Sequence, residues 1–155
     1  MALSDAAIGD IETLKQRYPD IAAAILPSLY IAQRETGMID DDAVRTVASA
    51  LQMEPIRVRE VATWYTMYHK KTIGRHLVEV CTNLSCHING GQELLEHLCK
   101  ELGVRPGSTT EDGRFTLREV ECLGSCGTAP AMQVDGVFHE NLTAEKASAV
   151  LRAAD

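Results

Sequence analysis

Two stretches decide how this chain folds: Val80-Cys81-Thr82-Asn83-Leu84-Ser85-Cys86-His87 and Val120-Glu121-Cys122-Leu123-Gly124-Ser125-Cys126-Gly127. Each leaves an apolar segment and enters a short loop that carries two cysteines. His76 to Val80 alternates in part and is rich in β-branched residues, which predicts a strand; Phe115 to Glu121 predicts another. Between the two strands, Asn89-Gly90-Gly91 opens a helix through Leu94, Leu95, Leu98 and Leu102 that Gly103 ends. Downstream, Ala131 to Val134, Asp135-Gly136 and Val137-Phe138 have the pattern of a strand, a tight turn and a strand. Thr143 then caps a last helix with Ala147, Val150 and Leu151 on one face. The order strand, helix, strand, hairpin, helix predicts an α/β domain over residues 75–155.

Upstream the texture is different. Residues 1–74 contain no cysteine and show helical spacing nearly throughout, which predicts a small helical bundle. Ile8, Ile11 and Leu14 recur at helical intervals, and Asp20 can cap the next segment. Pro27 is expected to kink or restart that segment, and Gly37 to stop it. Asp40-Asp41-Asp42 supplies a cap and negative charge where a helix starts, with Val44, Val47, Ala48 and Leu51 as its apolar face. Pro55 suits a first helical position. Ile56 to Tyr68 continues from it, and Trp64, Tyr65 and Tyr68 are expected on that last helix, mostly in packing roles.

Composition limits the functions open to the chain. It has 155 residues, 45% of them hydrophobic and 24% charged, with a formal net charge of −7. That suits a globular protein with a real core. An acidic chain is a poor binder of nucleic acid or anionic membrane surfaces, which call for clustered Lys and Arg. The excess is concentrated after residue 74, where 7 basic residues face 12 acidic ones. The amino terminus shows no signal-peptide pattern and no apolar run reaches the ~18 residues of a membrane span, so the expected compartment is the reducing cytosol. Cysteines there point to metal or redox chemistry rather than disulfides.

Four of the five cysteines form two pairs, Cys81-x4-Cys86 and Cys122-x3-Cys126. Strands distant in sequence can be neighbours in a sheet, which would bring the four thiols to one point. Zinc knuckles and dithiol redox sites both favour C-x2-C, and neither pair has that spacing. C-x4-C is a spacing used by [2Fe–2S] clusters. Spacing alone favours such a cluster and leaves a zinc site standing. Thr82, Asn83 and Ser85, and the Gly-rich stretch Cys122 to Pro130, could offer hydrogen bonds to cluster sulfur or simply build tight turns. His87 is expected to face solvent rather than ligate, because a Rieske-type site needs two histidines and none lies near Cys122 or Cys126. Cys99 falls on the leucine face of its helix and is expected to be a buried, inert thiol.

The two cysteine stretches, with Gly90-Gly91 after the first and Thr128-Ala129-Pro130-Ala131-Met132 after the second, resemble the thioredoxin-like [2Fe–2S] ferredoxin family. More narrowly the chain resembles the E-subunit family of NADH–quinone oxidoreductase (complex I). Gly37-Met38-Ile39 and Trp64-Tyr65-Thr66-Met67-Tyr68 extend the similarity into the helical region. The resemblance implies an N-terminal helical bundle (1–74) followed by a thioredoxin-like [2Fe–2S] domain (75–155). It implies Cys81, Cys86, Cys122 and Cys126 as the cluster ligands, one pair to each iron. It implies single-electron exchange with FMN on a larger partner subunit that also carries the NADH site and a [4Fe–4S] cluster. No Gly-rich dinucleotide fingerprint occurs in this chain, so no complete active site is expected here. No direct membrane insertion is expected either, only peripheral placement on the inner membrane through the complex. Related hosts are NAD-linked formate dehydrogenases and bidirectional hydrogenases, and a free-standing [2Fe–2S] ferredoxin is the remaining alternative.

Overall fold

The structure is a computed structural model that describes residues 3–154. Met1, Ala2 and Asp155, which fall within the leader reading and at the ends of the two expected spans, lie outside the described residues. The chain divides into two compact units, Met1–Thr72 and Ile73–Asp155.

The first unit is helical: α1 (Asp5–Lys15), α2 (Ile25–Thr36), α3 (Asp41–Ala50) and α4 (Pro55–Trp64), with a 3-10 turn at Ile21–Ala24. Short polar residues start the elements. Ser4 and Asp40 accept from the amides of Ala7 and Ala43 at 3.2 and 2.8 Å, and Asp20 accepts from Ala22 at 2.9 Å. Pro27 does not break α2, because it lies in the first turn, where an amide hydrogen has no helical partner to lose. Gly37 ends α2 in the left-handed region at φ 77°. Ile11, Leu29, Val47, Leu51 and Val58 are buried to 1% exposure or less. Each contributes on the order of 1.5–3 kcal/mol by leaving water.

The aromatic stretch after α4 departs from expectation. The helix ends at Trp64, Tyr65 is extended, and Trp64 is 81% exposed. Only Tyr68 packs inside, where its hydroxyl donates to the Leu26 carbonyl at 2.8 Å.

The second unit is mixed α/β, as the strand and helix patterns predict. Its elements are β1 (His76–Cys81), α5 (Leu84–Ile88), α6 (Gly91–Leu102), β2 (Ser108–Thr109), β3 (Phe115–Val120), β4 (Met132–Val134), β5 (Val137–His139) and α7 (Ala144–Ala153). The sheet order is β2-β3-β1-β4-β5. β1 and β3 are parallel and joined through α6, while the other neighbours are antiparallel. In register, Val78 lies between Leu117 and Val134, and Val80 pairs with Met132. This row of apolar side chains shares one core with Leu94, Leu95 and Leu98 of α6 and Ala147 and Leu151 of α7. Asp135 (φ 52°) and Gly136 (φ 80°) form the hairpin turn between β4 and β5, where two successive positive φ values match the twist of the strands. The Asp135 carboxylate also accepts from the Leu77 amide and holds His76 Nδ1 at 2.7 Å, which ties the hairpin to the start of β1.

Candidate metal centre

The parallel pairing of β1 and β3 aligns Cys81 with Val120, so both strands deliver their carboxyl ends to the same edge. That edge is where open parallel sheets place their ligands. The Thr82 amide donates to the Val120 carbonyl and the Cys81 amide donates to Ala131, both at 3.2 Å. Cys81 is therefore the last residue of a strand held on both sides. The expectation of a loop across the whole first motif is corrected here. Asn83 accepts from the Leu84 amide at 2.7 Å and starts the five-residue helix α5. That helix returns Cys86, buried, beside Cys81 against Ala131.

Gly91 explains how the turn closes. A Cβ at this position would stand 2.8 Å from the Cys86 carbonyl oxygen and 2.9 Å from that of Cys81. The first turn of α6 thus lies directly on the backbone of both cysteines, closer than any side chain allows.

The second pair sits differently. Cys122 and Cys126 are both exposed. The chain turns at Gly124 (φ 78°), whose amide donates to Cys122 Sγ at 3.3 Å. A 3-10 turn, Cys126–Thr128, follows Ser125, and the Ala129–Pro130 bond beyond it is cis.

Cys81 and Cys86 are neighbours, packed together with Ala131. Burial pushes the Cys86 thiol above the ordinary thiol range, a hydrogen bond with Cys81 adds to this, and a backbone hydrogen bond with Ala131 opposes it. The nearby charges of Cys81 and Cys126 raise it further. The donor set is sulfur from the two cysteine stretches, the chemistry that an iron–sulfur cluster requires. The Ala131 and Gly124 contacts are backbone hydrogen bonds to sulfur of the kind that tunes such a centre. Among the described residues no three His, Cys, Asp or Glu side chains converge closely enough to hold a single metal ion. A two-iron cluster asks instead for two thiolates at each iron.

Three polar side chains beside the cysteines are committed elsewhere. Thr82 Oγ1 donates to Glu119 at 2.7 Å, Asn83 caps α5, and Thr128 Oγ1 donates to Glu140 at 2.6 Å. His87 is exposed on α5. Cys99 is half-buried rather than buried, packed beside the α6–α7 core, and its thiol too is pushed up by burial. Gly91 had a visible signal in the Gly90-Gly91 doublet, which predicts a helix opening without revealing what lies against it. Glu119, Glu140 and Ala131 carry no signal in sequence, because their roles depend on which strands pair.

Residues 11–155 match the family model described as thioredoxin-like [2Fe-2S] ferredoxin. The chain belongs to the thioredoxin-like [2Fe–2S] ferredoxin family. The cofactor of this family is a [2Fe–2S] cluster. Relatives within it include the NADH-quinone oxidoreductase E 2 subunit of Rhizobium meliloti (strain 1021), 46% identical over 92% of this chain and 84% of its own. The NADH-quinone oxidoreductase E subunit of Escherichia coli (strain K12) is 39% identical over 92% and 86%. Among solved structures, an NAD+-reducing [NiFe]-hydrogenase shares the fold with a TM-score of 0.72 at 23% identity, covering 83% of this chain and 22% of that one. The resemblance to the E-subunit family drawn from the cysteine motifs therefore holds over most of the chain, and the fold is the thioredoxin-like one expected. No helix among the described residues is long and apolar enough to cross a membrane.

Proposed function

We propose that Cys81 and Cys86 hold one iron of the [2Fe–2S] cluster and Cys122 and Cys126 the other, in an electron-transfer subunit of an NADH:quinone oxidoreductase. The observation that carries this reading is the alignment of Cys81 with Val120 on neighbouring parallel strands. It supports the reading because Cys122, 36 residues beyond Cys86, follows two residues after the strand position that lies beside Cys81. The NADH-quinone oxidoreductase relatives supply the kind of complex.

When bound, the cluster supplies a one-electron redox centre. The chain's own residues do the rest. Cys81 and Cys86 exclude water from one side through their burial against Ala131. Cys122 and Cys126, both exposed, form the side that a partner can approach. The Gly124 amide stabilises negative charge on Cys122 sulfur. The acidic second unit opposes the arrival of another electron, which favours a low potential.

The partner we propose is a larger subunit that carries FMN, the NADH site and a [4Fe–4S] cluster, with single electrons passing between its flavin and this chain. The chain's place in the complex would then be peripheral to the inner membrane. Native purification of the tagged chain tests the pairing. A flavin-containing polypeptide should accompany it in equal amount, and recovery of the chain alone as a stable homodimer contradicts it.

A further inference from the structure

The exposed cysteine pair lacks the backbone anchoring that Cys81 enjoys, yet its loop is tied down at one end by a single carboxylate. Glu140 follows β5, and its Oε1 accepts from Thr128 Oγ1 at 2.6 Å. Hydrogen bonding to this carboxylate, from Thr128 first and from Ser125 after it, holds the Glu140 carboxyl below its ordinary range. Ser125 and Thr128 bracket Cys126: Ser125 precedes it, and Thr128 ends the turn that it begins. The next two residues extend the tie through the backbone. The Asn141 amide donates to the Thr128 carbonyl at 2.7 Å and the Leu142 amide to Pro130 at 3.2 Å.

A hydroxyl has one proton to donate. With Thr128 Oγ1 donating to Glu140, its proton is engaged by the carboxylate. Hydrogen bonds to cluster or ligand sulfur raise a reduction potential, and a nearby negative charge lowers it. One carboxylate therefore acts on the site in two ways at once: it orients the Cys126 turn through Thr128 and sets a negative charge beside that turn.

The geometry points to Glu140 as a positioning residue of the iron–sulfur centre, one that fixes the Cys126 turn through Thr128 and keeps the potential low by the negative charge it holds beside that turn. This rests on the assignment of Cys126 as a ligand.

The test is a redox titration of the full-length, anaerobically purified chain followed by the paramagnetic signal of its reduced cluster. It compares wild type, Glu140→Gln, Glu140→Ala, Cys126→Ser and, as a control that removes one charge from the first unit, Glu60→Gln. Gln keeps an acceptor oxygen and removes the charge. Glu140→Gln should retain full iron and lose it to a chelator at the wild-type rate, with a midpoint shifted upward. Glu140→Ala should shift the midpoint upward by at least as much and lose iron several-fold faster. Should Glu140→Ala fail to load, the Gln variant alone decides. A merely structural Glu140 would leave the Gln midpoint level with wild type and Glu60→Gln, and that result overturns the proposal. Cys126→Ser separates the two layers. Loss of the signal there supports the ligand assignment, so an unmoved Glu140→Gln midpoint then counts against Glu140 alone. Wild-type iron and signal in Cys126→Ser overturn the assignment itself and the proposal with it.

Discussion

The two cysteine pairs of this chain reach the same edge by opposite means. Cys81 closes a strand that pairs on both sides, and Cys86 is returned by a short helix packed under Gly91. Both are buried. Cys122 and Cys126 sit in an exposed, glycine-rich loop whose positions are held by side chains and a few backbone bonds. One half of the site is thus a by-product of folding the sheet. The other half is a surface device that can sit next to a partner. A centre of the kind proposed, one that excludes water and still exchanges electrons, needs both halves.

The sharpest way to break this contrast is at Gly91. Gly91→Ala forces a Cβ against two backbone carbonyls that a side-chain rotation cannot relieve. We expect a loss of about 1–3 kcal/mol in the stability of the second unit, as in overpacked cores, and poor iron incorporation. Gly127→Ala, in the exposed loop with nothing within 4 Å of the added carbon, should stay within about 0.5 kcal/mol of wild type. Urea titrations of the two variants measure the difference. Equal effects would remove the distinction between a buried and a surface half.

Labelling of thiols in the iron-free chain gives a graded comparison. Thiolate is the reactive form, and burial raises the Cys86 value. At pH 8, Cys122 and Cys126 should alkylate several-fold faster than Cys86. The Cys86 rate should keep climbing with pH beyond the ordinary thiol range, because burial raises its deprotonation. Peptide mass spectrometry at a series of pH values follows each cysteine. The smallest effect belongs to Cys99→Ser, which should cost at most about 1 kcal/mol and leave iron content unchanged, since Cys99 packs on α6 away from the four.

The same contrast explains what could be read before the structure. The strand at His76, the α6 pattern of Leu94, Leu95 and Leu98, the Asp135-Gly136 turn and the helix caps at Asp40 and Thr143 are local signals, each carried within a few residues. The cysteine spacing is equally local. What escaped was set by tertiary partners. The five residues of α5 are too few to show a period, so the first motif reads as loop. Trp64 and Tyr65 read as a continuing helix, because nothing local announces that the chain becomes extended at Tyr65. Thr82 reads as a donor for sulfur or as part of a tight turn until the fold brings Glu119 to it.

The most direct measurement is the iron and acid-labile sulfide content of the anaerobically purified chain, compared with four single Cys→Ser variants at positions 81, 86, 122 and 126. We predict two irons and two sulfides per wild-type chain, a signal on reduction with dithionite, and loss of both irons and signal in every variant. A colourless protein holding one zinc, or a variant among the four that retains wild-type iron, contradicts the account.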